Sequence, residues 1–381
     1  MKLLFCLLLY IGFSFGATFQ DGVDIYNTGN YKKAYEIFEK LANDGDSSSQ
    51  YALGIMNENA QGVKQNYKEA IKWYKLAAKQ GNDNAQLTLG NIYYSGTGIK
   101  QDLQEAIKWY KLAANQNNIS ASHNLSLIYI DTNDKKEAVK WLTKAANGGY
   151  APSQYNLGLF YENGTGVSQN IVEAIKWYKE SANQNYIDSQ FRLGVIYFKG
   201  ISVNKNLDES IKWFTKSANQ NHLEAQHLLG IAYELKNDFN NAIKWYTKAA
   251  NLSHAPSQYN LALFYTAGKG VKRDYKKAFN LYKKSARANY PPAQYNLGVM
   301  YENGYATSQN YTEAFKWYSK AAVADYPSAL SMMGVFYLDG KGVSTNKFKA
   351  YEYFNKAAKL GDLQAQNNLD ILCKESPWAC K

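Results

Sequence analysis

A segment reading Ala-Ile-Lys-Trp-Tyr, or a near variant, recurs along the chain and places tryptophans at 73, 109, 141, 177, 213, 245 and 317. The steps are 36, 32, 36, 36, 32 and 72 residues, with Leu281 in the skipped slot and Tyr353 ending the series. A second column keeps the same steps: Gln50, Gln86, Ser122, Gln154, Gln190, Gln226, Gln258, Gln294, Leu330 and Gln366. Two columns holding one phase exclude chance. A fixed period of this length marks stacked supersecondary units, none of which can bury its apolar face alone. Extending backwards, Ala34, Phe38, Ala42 and Gly45 match Ala70, Tyr74, Ala78 and Gly81, so the first unit begins near Ala17. Ten units result, with a partial one from about Asp362.

Each unit reads as two helices. The first runs like Ala85–Tyr94, with apolar residues at three- and four-residue steps. It carries a glycine (Gly54, Gly90, Gly158, Gly194, Gly230, Gly298, Gly334) whose cost in helix propensity predicts a close helix neighbour. A turn such as Gly96-Thr97-Gly98 follows, with glycines suited to positive φ. In the second helix, Ala106, Trp109, Tyr110, Ala113 and Ala114 form the buried stripe of an amphipathic helix. The units beginning near Ala17, Ala121 and Ala225 lack four residues between their helices. Segments 138–157 and 242–261 also agree at 15 of 20 positions, 104 residues apart, and His123 and His227 share that phase.

The length of 381 residues would ordinarily suggest two or three domains; the repeat predicts one array over 17–361 instead, with 362–381 as a capping helix and tail. The composition, with 33 Tyr and 8 Trp against 6 Pro, excludes disordered, collagen-like, disulfide-dense and multi-span membrane classes. The net charge of +11 rests on lysine, since only Arg192, Arg273 and Arg287 are arginines. That balance argues against nucleic-acid readout, for which arginine is favoured.

Met1-Lys2, an apolar run from Leu3 to Phe13, and Ser14-Phe15-Gly16-Ala17 read as a signal peptide over residues 1–16. Export to the periplasm or beyond is the expectation, with no later segment apolar enough to span a membrane. After cleavage the cysteines left are Cys373 and Cys380, for which a disulfide is expected in an exported protein.

The pattern A-x-x-x-L-G-x-x-Y-x-x-G-x-G-V…A-x-x-W-Y-x-x-A-A resembles the SEL-one-like repeat, a relative of the tetratricopeptide repeat with longer loops. The resemblance covers nearly the whole mature chain. It implies an all-α fold, a right-handed α-solenoid of about ten helix-turn-helix repeats of 32–36 residues, and an adaptor scaffold as function. One secreted, cysteine-rich bacterial subgroup of similar architecture is described as penicillin-binding with weak β-lactamase activity; it carries a cysteine pair in most repeats, whereas here Cys373 and Cys380 form the one pair. Weak β-lactamase activity and binding of cell-wall fragments therefore stand as alternatives.

Candidate chemistry is sparse. Ser202-Val-Asn-Lys205 and Ser344-Thr-Asn-Lys347 match the S-x-x-K element of serine β-lactamases, but the S-D-N and K-T-G partners are absent. The histidines (His123, His222, His227, His254) form no H-E-x-x-H, so no metal, cofactor or catalytic set is expected. The column Glu69, Glu105, Glu137, Glu173, Glu209, Glu313 fits helix N-termini, where negative charge offsets the macrodipole. Two surfaces remain for a protein or peptide partner. One is a lysine column, Lys72, Lys108, Lys140, Lys176, Lys212, Lys244 and Lys316, read either as a solvated face or as a basic ribbon for an acidic or cell-envelope component. The other is the first-helix wall. Its repeated Gln-Tyr-Asn triplet gives Tyr155 and Asn156, Tyr259 and Asn260, and Tyr295 and Asn296. Amides there could bond a peptide backbone, with the glutamine read either in that role or as a structural bond.

Overall fold

A computed structural model describes residues 17–380; the segment 1–16, where the sequence places a signal peptide, lies outside the described residues, as does Lys381. Among the described residues every regular element is a helix. Packing falls into two compact units that meet in sequence between Tyr186 and Ile187. The first holds α1 (Phe19–Asn27), α2 (Tyr31–Asn43), α3 (Ser47–Glu58), α4 (Tyr67–Lys79), α5 (Asp83–Ser95), α6 (Leu103–Asn115), α7 (Ile119–Asp131), α8 (Lys135–Asn147), α9 (Ala151–Asn163) and α10 (Ile171–Asn183). The second holds α11 (Ile187–Lys199), α12 (Leu207–Asn219), α13 (Leu223–Leu235), α14 (Phe239–Asn251), α15 (Ala255–Ala267), α16 (Tyr275–Arg287), α17 (Pro291–Asn303), α18 (Tyr311–Val323), α19 (Pro327–Asp339), α20 (Lys347–Lys359) and α21 (Leu363–Glu375), then a 3₁₀ turn, Pro377–Cys380. Odd-numbered helices are the first helices of the repeats and even-numbered ones the second. The first unit is an α-solenoid of five helix pairs, and the second is one of five pairs followed by α21.

Local signals set the boundaries. The second helices α4, α6, α10, α12, α16, α18 and α20 start at Asn66, Asp102, Asn170, Asn206, Asp274, Asn310 and Asn346, whose side chains accept the backbone N–H three residues on. Several first helices end on left-handed glycines: Gly96, Gly164, Gly268, Gly304 and Gly340 lie at φ of 67° to 75°. After α7 and α13 the loop shrinks to residues 132–134 and 236–238, against 96–102 after α5, which accounts for the four-residue deletions.

Two aromatic columns do different work. The ring that follows Trp73, Trp109, Trp177, Trp213, Trp245 and Trp317 packs under the first helix of its own pair. A Cβ added at Gly54, Gly90 or Gly298 would fall 2.3, 2.5 or 2.7 Å from the rings of Tyr74, Tyr110 or Tyr318, and this close approach explains the helical glycines. The tryptophan instead joins the core of the preceding pair: Trp109 of α6 packs with Ala70, Tyr74, Ala78 and Leu89, and Trp317 of α18 with Ala278, Tyr282 and Leu297. One side chain closes a repeat and its neighbour in sequence bolts it to the last one.

At the end of the second unit, Cys373 of α21 and Cys380 of the 3₁₀ turn are disulfide-bonded, with Cα atoms 5.6 Å apart. No helix of the described residues is long and apolar enough to cross a membrane.

Candidate functional site

The glutamine column is structural. Gln50, Gln86, Gln154, Gln258 and Gln294 are buried, and each donates from Nε2 to the carbonyl of Ala42, Ala78, Ala146, Ala250 or Ala286 at 3.0–3.2 Å. Those carbonyls belong to the last turn of the preceding second helix, where intrahelical donors run out. The amide oxygens of Gln50, Gln86 and Gln154 accept from Gln80, Gln116 and Gln184 at 2.8 Å. None of this amide capacity faces a partner.

The tyrosines and asparagines of the same triplet stand elsewhere. Tyr155 packs against Tyr178 and Tyr186, Tyr259 against Tyr282 and Tyr290, and Tyr295 against Tyr318 and Tyr326, at centroid distances of 5.4–5.9 Å. All six triplet residues are half-buried. The amide of Asn296 lies beside the phenols of Tyr259 and Tyr282 and partly opposes the upward pull of burial on their pKa. Asn260 lines a cavity of about 330 Å³ with Glu234, Leu263, Phe264 and Lys269, and Tyr246 donates its O–H to Glu234 Oε2 at 3.0 Å. The first unit has the corresponding cavity, about 280 Å³, beside Asn91, Tyr94, Tyr110 and Asn124. Burial, reinforced by the neighbouring phenols of Tyr326, Tyr282 and Tyr290, pushes Tyr259 up to about 12. Burial likewise raises Tyr290, Tyr295 and Tyr326, so at neutral pH this wall offers uncharged O–H groups and ring faces.

One set of wall residues escapes the reading of the triplets. The residue preceding each first helix is an effective cap early in the chain: Asp46, Asn82 and Asn118 accept backbone N–H groups of α3, α5 and α7. Before α9, α15, α17 and α19 the position holds Tyr150, His254, Tyr290 and Tyr326, which make no side-chain cap bond. These rings pack at a tilt, with interplanar angles of 52–64°, on the first helix of the preceding pair, in the contacts His123–Tyr150 (4.8 Å), His227–His254 (4.9 Å), Tyr259–Tyr290 and Tyr295–Tyr326. The sequence signal was available: the column changes from Asp and Asn to aromatic at residue 150.

The lysine column is locally neutralised. Lys72, Lys108, Lys140, Lys212 and Lys316 pair with the glutamate three residues earlier at 2.9–3.3 Å, and Lys176 with Glu173 at 3.6 Å. The same ammonium groups of Lys72, Lys108, Lys176 and Lys212 lie 5.5–5.7 Å over the rings of Trp73, Trp109, Trp177 and Trp213. These lysines cover tryptophan and answer the glutamate column while their side chains stay more than half exposed.

The S-x-x-K matches do not assemble. Ser202 is exposed in a left-handed turn at φ 52°, and Lys205 lies over Phe198. Lys347 turns from Ser344 to donate to Ser376 Oγ at 2.7 Å. The histidines do meet: His227 Nδ1 and His254 Nδ1 lie 2.9 and 2.8 Å from Ser257 Oγ, and His254 Nε2 lies 3.4 Å from Glu224. With Nε2–H of His254 directed at Glu224, its Nδ1 accepts the Ser257 O–H, and Ser257 Oγ accepts from His227 Nδ1–H. The order Ser–His–Glu is that of a hydrolytic triad, but Ser257 is fully buried, which denies a substrate access to its Oγ.

The Sel1 repeat pattern matches residues 17–46, 47–82, 83–118, 151–186, 187–222, 223–254, 255–290, 291–325 and 327–362, and a tetratricopeptide repeat matches 119–147. No curated protein sequence matches the chain. Among solved structures, c5321, a protective antigen of uropathogenic Escherichia coli with an SLR fold, is 30% identical over 94% of this chain and 79% of its own, with a TM-score of 0.81. A Sel1 repeat protein from Oxalobacter formigenes is 26% identical over 88% of this chain and 89% of its own, with a TM-score of 0.55. With nine repeats matched across most of its length, the chain belongs to the Sel1 repeat family.

Proposed function

We propose that this protein is a secreted or periplasmic scaffold that holds peptide or protein partners along the first-helix wall of each of its two units. The observation that carries the reading is the replacement of helix caps by packed rings. Losing an Asn or Asp cap costs about 1 kcal/mol per helix, only partly offset by the prolines at the first helical turns. A repeated local sacrifice at a half-exposed surface is the signature of a site rather than of packing. Rigid phenols beside Asn156, Asn260 and Asn296 supply contact area and directional bonds at low entropic cost. Export is supported by the apolar start of the chain, by the disulfide, and by the description of the Escherichia coli relative as an antigen.

The test is capture of partners from the extracytoplasmic fraction of producing cells, comparing the mature chain with a Tyr150→Asn/Tyr290→Asn/Tyr326→Asn variant. These substitutions supply cap side chains while removing rings, and an unchanged urea midpoint of the variant separates loss of capture from loss of fold. Loss of one specific partner supports the wall; the same partner captured equally by both proteins rules it out.

A further inference from the structure

The positive charge is unevenly divided. Residues 187–381 contain 25 basic and 15 acidic side chains, a net +10, whereas residues 1–186 contain 18 and 17, a net +1. Within the second unit α16 holds five cations and α14 two, neither with a carboxylate of its own, while α20 sets four lysines against Glu352. In α12 and α18 the third helical residue is the glutamate that pairs with the lysine three residues later, Glu209–Lys212 and Glu313–Lys316, whereas in α20 it is Lys349, with Glu352 three residues on. In α14 that position is Asn241, which bonds Asp238, and in α16 it is Lys277. Lys244 and Lys248 of α14 are exposed, with Lys248 lying 4.2 Å over Trp245.

Helix α16 departs furthest from its siblings. At 100° per residue, Lys276, Lys277, Asn280, Lys283, Lys284 and Arg287 fall within an arc of about 120°, opposite buried Ala278, Tyr282, Ser285 and Ala286. Lys276, Lys277, Lys284 and Arg287 are exposed, and Lys272 and Arg273 extend the patch into the preceding loop. Asp274, the acid nearest to it, is engaged as the α16 cap and lies 3.9 Å from Lys277. Among the described residues no carboxylate stands in ion-pair distance of Lys272, Arg273, Lys276, Lys283, Lys284 or Arg287.

We propose that the outer face of α14 and α16 docks an acidic polypeptide segment, a site that does not depend on the first-helix wall. Charge complementarity sets the sign of the partner. From Lys276 to Arg287 the strip runs about 16 Å, the length of about five residues of extended chain, so successive side chains of a Glu- or Asp-rich strand meet successive cations. The apolar stripe of α16 is already buried, and Lys276, Lys277, Asn280, Lys284 and Arg287 present nothing apolar to enter a bilayer, which favours a water-borne polyanion over a lipid surface.

Binding of a fluorescein-labelled decaglutamate to the whole mature chain tests this, by anisotropy at 50 mM salt. One variant carries Lys276→Gln, Lys277→Gln, Lys284→Gln and Arg287→Gln. A second, matched in net charge, carries Lys72→Gln, Lys108→Gln, Lys176→Gln and Lys212→Gln. The first should weaken binding about tenfold or more and the second less than about twofold, with affinity falling steeply by 300 mM salt. A third, with Lys276, Lys277 and Lys284 changed to Arg, keeps the charge and should keep binding, which separates charge from helix integrity. Equal losses in the two glutamine variants, no decaglutamate binding at 50 mM salt, or retention on phosphatidylglycerol vesicles without decaglutamate binding would each overturn the proposal.

Discussion

At the scale of single residues, Gly298 and Tyr318 show how tightly each pair is closed. Alanine at Gly298 would gain up to about 1 kcal/mol of helix propensity, yet its Cβ would sit 2.7 Å from the Tyr318 ring. Overpacking of this kind costs about 1–3 kcal/mol, so Gly298→Ala should lower stability overall, read as a drop in the urea midpoint. The fourth pair shows the natural compensation: Ser126 occupies the glycine slot and Leu142 replaces the ring. His227 provides the second expectation at this scale. Burial, with His254 adding repulsion, lowers its pKa from 6.5 to about 4. The groups facing it are His254 and Ser257 at the start of α15, Tyr246 of α14, and Glu224 on its own helix. An unfolded histidine takes up a proton near pH 6.5 and the folded one resists until about 4, so stability is retained above pH 6.5 and lost as pH falls toward 4. The loss should approach about 3 kcal/mol, and a His227→Gln variant should flatten that part of a stability-against-pH curve. His123, His222 and His254 are lowered by burial too, so they add to the same trend.

At the scale of helices, the glutamine latch joins the end of one second helix to the start of the next first helix. In four repeats the amide meets a glutamine at the C-cap of the next second helix: Gln80, Gln116, Gln184 and Gln220. At α14 the corresponding C-cap is Leu252, 54% exposed, and the buried Gln226 Oε1 has no hydrogen-bond partner. Leu252→Gln should restore the pair and raise stability by about 1 kcal/mol in denaturant unfolding. Gln294→Leu should do the reverse, costing about 1 kcal/mol by removing the buried Nε2 donor and leaving the Ala286 carbonyl with backbone donors such as Asn289 N–H. The helical pattern, the loop lengths and the role of the glutamate column were legible in the sequence because each depends on residues within one turn of one another. The role of glutamine was not, since a buried amide bonding a carbonyl and an exposed amide awaiting a peptide have the same sequence.

At the scale of the whole molecule, charge separates the two units. Like charges crowd α16, where Lys283 and Arg287 are four residues apart and Lys276 and Lys283 seven. Raising salt from 50 to 300 mM should therefore slow amide exchange in α16 more than in α4, whose Lys72 already pairs with Glu69. Equal protection of both helices would show that the α16 cations do not repel one another enough to matter.

The sequence by itself determined the all-helical repeat, its phase, its ten units and the family, because a period of 32 or 36 residues repeats short-range causes: caps, turns and apolar stripes. It also limited the glutamine and lysine columns to two readings each. Only the tertiary structure decided the place of the glutamines, by turning Gln154 and Gln294 inward, and it alone set Lys72 over Trp73 beside Glu69 and packed Tyr290 and Tyr326 on the pair before them. The reason is physical. A column fixes which residues share a position, but whether that position faces the neighbouring helix or the solvent depends on how the pairs stack.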